Sequence, residues 1–128
     1  MGDAEAAVRD ADVVVTATAS QVPVLRGAWL KPGAHVNAVG APRPTWRELD
    51  DEAMSAAVLV VDSREAVLME SGDVILSKAP IYAEVGEIFA GTQPKPLAGR
   101  TTLFKSVGIA TEDLWAARLV YESIAGLQ

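Results

Sequence analysis

The chain has 128 residues, half of them apolar, a formal net charge of −6 and no cysteine. That size and composition suit one core-forming domain, or part of one, and exclude general disorder. The acidic balance argues against nucleic acid and anionic membranes as partners, and a chain with no cysteine and a single histidine, His35, holds neither a disulfide framework nor a multi-histidine zinc site.

No apolar run approaches membrane-spanning length, and the acidic start is unlike a signal peptide, so the chain reads as soluble and cytoplasmic. Met1-Gly2 leads into a helix with no strand before it. Asp3 is placed to cap that helix over residues 3–11, with Ala4, Ala7, Val8 and Ala11 on one face. The β-branched run Val13-Val14-Val15 predicts a strand over 12–18, of the kind buried on both faces in a parallel sheet. Residues 19–30 read as a connection with a turn or two of helix near 25–30, and Trp29 as a packing residue. Lys31-Pro32-Gly33 forms a turn, and a second apolar strand spans 34–40.

Ala41-Pro42-Arg43-Pro44 is a stiff loop. Thr45 to Glu48 fits the T-x-x-E capping box and predicts a helix through about residue 56, with Leu49, Ala53 and Met54 facing inward and Asp50-Asp51-Glu52 in solvent. Val58-Leu59-Val60-Val61 is a third buried strand. Asp62 either caps the helix 64–70 or serves as an acid or ligand-orienting group; the cap is the simpler reading. Ala66, Val67 and Leu68 supply that helix's apolar contacts. Ser71-Gly72-Asp73 is a turn and Val74-Ile75-Leu76 a short apolar extension.

Pro80 is placed to open a helix over 81–90, ended by Gly91. Glu84 and Glu87, at i and i+3 on it, have the spacing of paired catalytic carboxylates, but a solvated surface is the simpler reading. Residues 92–99 are a loop or interdomain linker, and 101–104 a last strand. Lys105-Ser106-Val107-Gly108 then turns into a final helix capped by Thr111. That helix carries Leu114, Trp115, Leu119, Val120, Tyr121 and Ile124 and is apolar nearly all round. It calls for a further domain or a second subunit to cover it.

Both early strands end in small or hydroxyl residues: Thr16, Ala17, Thr18, Ala19 and Ser20 after the first, Gly40 and Ala41 after the second. Ligands of open α/β sheets bind beyond the carboxyl ends of the strands, and small residues there let a ligand approach the backbone. Core strands with ordinary turns would show the same residues. None of the ten glycines falls in a G-x-G-x-x-G pattern.

In order along the chain, Ala11-Asp12-Val13-Val14-Val15-Thr16-Ala17-Thr18, the run from Lys31 to Gly40, Trp46-Arg47-Glu48-Leu49-Asp50-Asp51-Glu52, Val61-Asp62-Ser63, Glu70-Ser71-Gly72-Asp73-Val74 and Phe104-Lys105-Ser106-Val107-Gly108 resemble the C-terminal portion of the ornithine cyclodeaminase/mu-crystallin family, most of all its ketimine reductases. The resemblance implies an α/β fold. Residues 1–98 would be the second half of a Rossmann-like NAD(P)-binding domain with a parallel sheet, and 99–128 a strand and helix of a substrate and dimerisation domain. The N-terminal half, with its glycine turn and active-site lysine, would be missing from a truncated chain.

The same resemblance implies NADPH or NADH as cofactor, held by Thr16, Thr18, Ala19, Val39, Gly40, Ser106 and Val107, with Pro42 and Glu70 on the substrate side. The implied ligands are a cyclic ketimine or thyroid hormone, and the implied assembly a homodimer or a dimer with a full-length relative. Pro42 falls where cyclodeaminases carry a catalytic aspartate, and proline has no ionisable group, which argues against cyclodeaminase chemistry. Two other readings stay open: a non-catalytic dimerisation or binding module, and an amino-acid dehydrogenase.

Overall fold

The computed structural model describes residues 3–126. Five strands form one parallel sheet: β1 (Val13–Thr16), β2 (His35–Ala38), β3 (Val58–Val61), β4 (Ile81–Glu84) and β5 (Thr102–Lys105), in spatial order β1-β2-β5-β3-β4. The helices are α1 (Ala4–Val8), α2 (Asp51–Ala56), α3 (Arg64–Glu70), α4 (Gly72–Ser77), α5 (Val85–Phe89) and α6 (Ala110–Ala125), with a single 3-10 turn at Gly27–Trp29. Met1-Gly2 lie outside the described residues. Among those described, no helix is long and apolar enough to cross a membrane.

The sheet's period of two sorts its residues sharply. Val14, Val36, Leu59, Val61 and Leu103 point to one face and pack with Ala53 and Met54 of α2, Val67 of α3 and Val74 of α4. On the other face Val13 and Val15 of β1 are exposed, and His35, Asn37, Thr102 and Phe104 are half-buried beneath α5. β1 is therefore not buried on both faces, as its β-branched run predicts. It is an edge strand with one open face. A cavity of about 290 Å³ lies on this second face, lined by His35, Asn37, Val85, Ile88, Pro96 and Phe104 among others.

Several elements depart from the sequence expectation for identifiable reasons. α1 stops at Val8 because Arg9 already leaves the helix (φ −54°, ψ 133°) and Asp10 follows with a left-handed φ of 65°. The T-x-x-E box opens no helix. Residues 48–50 are held extended instead, with Leu25 N–H donating to Glu48 O (2.9 Å) and Asp50 N–H to Leu25 O (3.1 Å). Asp50 is the true cap of α2, accepting from Ala53 N–H at 2.8 Å. Ser63 rather than Asp62 caps α3. Val74-Ile75-Leu76 belong to α4, which Ser71 caps.

Residues 81–84 are an edge strand beside β3, and Pro80 precedes it where no ladder hydrogen bond is required of its nitrogen. Only 85–89 are helical, behind a capping box in which Glu84 N–H donates to Glu87 Oε2 (2.7 Å). Glu87 also pairs with Arg64 at 2.7 Å, so these two glutamates fasten α5 to α3 rather than simply facing solvent. Thr111 caps nothing; α6 begins at Ala110 behind Ile109. β5 lies in the middle of the sheet between β2 and β3, so of the segment 99–128 only the helix stands apart.

Candidate functional site at the carboxyl ends of the strands

The register puts Thr16, Ala38, Lys105, Val61 and Glu84 in one row, so all five strands end together. The segments that follow β1, β2, β3 and β5 leave the sheet side by side. Thr18, Ala19, Val39, Gly40, Ser106 and Val107 are thereby gathered on one edge. Val39 N–H donates to Thr16 O (2.9 Å) and Ala41 N–H to Thr18 O (2.8 Å), joining the first two segments. A Cβ on Gly40 would collide with the Thr18 backbone and with the Glu48 carboxylate, so only glycine permits this approach. The next residue, Ala41, is fully buried with φ 49°, a left-handed backbone that costs an L-residue about 1 kcal/mol or more.

The predicted residues divide into two layers. Thr18, Ala19 and Val39 are exposed on the edge. Thr16, Gly40 and Ser106 are buried beneath it, and their polar groups are already engaged. The Thr16 hydroxyl donates to Glu48 Oε2 at 2.9 Å, and Gly40 N–H donates to the same oxygen at 3.0 Å. Thr18 N–H donates to Glu48 Oε1. The Ser106 hydroxyl donates to Asp62 Oδ2 at 2.8 Å, as do the amides of Val107 (2.9 Å) and Gly108 (3.0 Å). Asp62 thus shapes the loop after β5.

Beneath this edge sits a charged cluster. Lys105, fully buried, donates to Gly40 O at 2.6 Å and lies 3.2 Å from Asp73 Oδ2. Asp73 Oδ1 accepts the backbone amides of Glu48 (2.9 Å) and Leu49 (3.0 Å). Pro42 and Glu70 are both exposed, and they flank a seam where Gly72 N–H donates to Arg43 O at 3.0 Å. A Cβ on Gly72 would strike the backbone of Trp46. The loop 42–46 and the junction of α3 with α4 are therefore locked together at one end of the edge.

Glu48, Asp73 and Lys105 are absent from the residues that sequence reasoning selects. Glu48 was hidden by its fit to a capping box. Lys105 carried a readable signal: it follows Leu103 by two in a strand, so it had to share Leu103's buried face. A lysine there demands partners.

The fold and the edge define a parallel α/β chain of the nucleotide-binding type, with ligand-facing segments at the strands' carboxyl ends. The pattern of the ornithine cyclodeaminase/mu-crystallin family matches residues 1–128, and the chain belongs to that family. It is 62% identical over 117 residues to the ketimine reductase mu-crystallin of Rattus norvegicus, covering 91% of this chain and 37% of that protein. Among solved structures it is similar to the Thermococcus litoralis Δ1-pyrroline-2-carboxylate reductase in complex with NADH and L-proline, with a TM-score of 0.87 and 41% identity over 95% of this chain and 40% of that one. An archaeal alanine dehydrogenase dimer with bound NAD gives a TM-score of 0.84 at 36% identity, over 98% of this chain and 41% of that one. The chain spans about two-fifths of the length of these relatives.

Proposed function

We propose that this chain carries the nicotinamide-side strand edge of an NAD(P)H-dependent reductase of cyclic C=N bonds. The observation that supports it is the joined edge itself: Thr18, Ala19 and Val39 are exposed together above backbone held by Glu48 and Asp62. A flat edge of small side chains accommodates a nicotinamide ribose without a bulky group in the way. In this reading Thr18, Ala19, Val39 and Val107 meet the cofactor, while Thr16, Gly40 and Ser106 hold the edge from below. The likeness to a ketimine reductase and to a pyrroline-2-carboxylate reductase bound to NADH supports the substrate class.

The reduced nicotinamide, when bound, supplies the hydride. The chain's part would be to hold the strand edge, with Thr18, Ala19, Val39 and Val107 as the residues that would meet the cofactor. Pro42 beside the seam offers no acid or base, which suits reduction better than cyclodeamination. The domain reading goes with this proposal: residues 1–98 as half of a dinucleotide-binding domain, and 99–128, a strand and a helix, as the return to a substrate and dimerisation domain. Thyroid hormone is proposed as a competing ligand of the same site.

A second reading is favoured by α6, none of whose described residues is buried. It makes the chain a dimerisation module, pairing with its own copy or with a longer relative. Calorimetric titration of the purified chain with NADPH and NADH, followed by an imine-reduction assay, tests the first reading. Micromolar binding supports a working cofactor edge, and turnover above a buffer blank removes the non-catalytic reading. Absence of binding, with a dimer in sedimentation, favours the second. Ketimines against 2-oxo acids plus ammonia separate the imine reductase from an amino-acid dehydrogenase.

A further inference from the structure

We propose that Glu48, Asp73 and Lys105 are positioning residues that hold the Gly40 backbone between opposite charges, so that the strand edge is set before any ligand arrives. The role in cofactor binding rests on the reading above; the clamp itself does not. Gly40 N–H is bound to the Glu48 carboxylate (3.0 Å) and Gly40 C=O to the Lys105 ammonium (2.6 Å). Both polar groups of one residue are thus gripped by charged side chains that are fully buried. The two grips are tied to each other. Lys105 lies against one oxygen of Asp73, and the other oxygen accepts the Glu48 amide. The same Glu48 carboxylate takes Thr18 N–H and the Thr16 hydroxyl, so it fixes both segments of the edge at once.

A core built only for stability has no need of such a cluster, because well-packed apolar residues do as well or better than buried ions. What charged groups add here is direction. Glu48 orients the peptide between Val39 and Gly40, and Lys105 orients the next one, between Gly40 and Ala41, which leads into the left-handed φ of 49° at Ala41. A binding edge held in one geometry loses less freedom when its ligand docks.

Amide hydrogen exchange, followed by NMR on the ligand-free 128-residue chain, tests the clamp. The Gly40 and Thr18 amides are expected to be protected although Thr18 is exposed. Glu48→Gln keeps the size but turns one acceptor into a donor, so one of three donors must face an N–H. Exchange at Gly40 and Thr18 should then rise by about tenfold or more, with Val36, Leu59 and Leu103 unchanged. A purely structural Glu48 would instead raise exchange everywhere through global unfolding, and that result overturns the proposal. So does a wild-type chain in which Gly40 and Thr18 exchange as fast as residues 92–99, a measurement that needs no variant to fold.

NADH titration separates the two readings. About tenfold weaker binding by Glu48→Gln, with distant amides unchanged, supports positioning for the cofactor. Equal binding with a loosened Gly40 removes that role and leaves the cofactor reading standing. Protected edge amides in a chain that binds no NADH support the clamp and count against the cofactor reading.

Discussion

The face of the sheet under α2, α3 and α4 and the helix α6 are built from the same apolar residue types, yet they end in opposite conditions. Leu59, Val61, Val67, Val74 and Leu103 are at most 2% exposed, whereas Leu114, Leu119, Val120 and Ile124 range from 59% to 82%. The difference is geometric. Parallel strands joined by right-handed crossovers bring α2 to α4 back onto the sheet, so that face closes on itself. α6 follows the central strand β5 and leaves the sheet through the loop at 106–108, and none of its described residues is buried. A helix of 16 residues with no packed face is marginal in water. One part of the apolar pattern is therefore buried within the chain, and the part on α6 is exposed.

The largest effect expected on the closed side comes from charge. Lys105→Met leaves the buried Gly40 carbonyl without its donor and the Asp73 carboxylate with only the Arg47 guanidinium, 3.9 Å away, and should cost about 3–5 kcal/mol in urea unfolding. Leu103→Ala, two residues back in the strand on the same face, should cost about 2–5 kcal/mol through lost burial and the cavity left behind. Ser63→Ala removes the side-chain cap of α3, where Ala66 N–H donates to the hydroxyl at 3.3 Å, and should cost about 1 kcal/mol by the same measurement.

A smaller effect is expected where α5 is fastened to α3. The Glu84 backbone amide, and after it the Arg64 guanidinium, hold the Glu87 carboxyl below the usual carboxylate range. A depressed folded-state pKa means stability that is present above the ordinary glutamate value and lost as pH falls through the lower, folded one. Melting temperatures followed through an acid titration should therefore drop less steeply in Glu87→Gln than in the wild-type chain. The side chain is 40% exposed, so solvent and salt weaken the effect.

What was legible in the sequence tracks how local the deciding interaction is. The β-branched run of β1, the apolar stretches of β2 and β3, Arg64–Glu70 and the apolar helix at the end were visible in their own residues. The family resemblance, carried by pieces such as the run to Gly40 and Phe104-Lys105-Ser106-Val107-Gly108, placed the site segments on one edge. The errors lie where a distant partner overrides a local pattern. Thr45 to Glu48 looks like a capping box, but Leu25 holds residues 48–50 extended and the edge takes the carboxylate. Ile81 to Phe89 has helical spacing throughout, but β3 recruits its first four residues as a strand. Asp73 looks like a turn residue, and nothing nearby in sequence announces its ion pair with Lys105, 32 positions on.

The smallest expected change in folding free energy is also the sharpest test of the comparison. Leu119 and Leu103 are the same residue, at 66% and 1% exposure. In dilute solution Leu119→Ala should alter unfolding by no more than about 0.5 kcal/mol, because it removes nothing that was buried. If α6 pairs with a second copy, as proposed, the wild-type melting temperature should climb with protein concentration, since association stabilises only the folded state. In Leu119→Asp that climb should disappear while the dilute value stays put. Sedimentation at the same concentrations should show the wild-type chain associating and the variant remaining single. A concentration-independent melt for both chains, with Leu119→Ala as costly as Leu103→Ala, would mean that α6 folds back onto its own sheet in solution, and the contrast between the two regions would be gone.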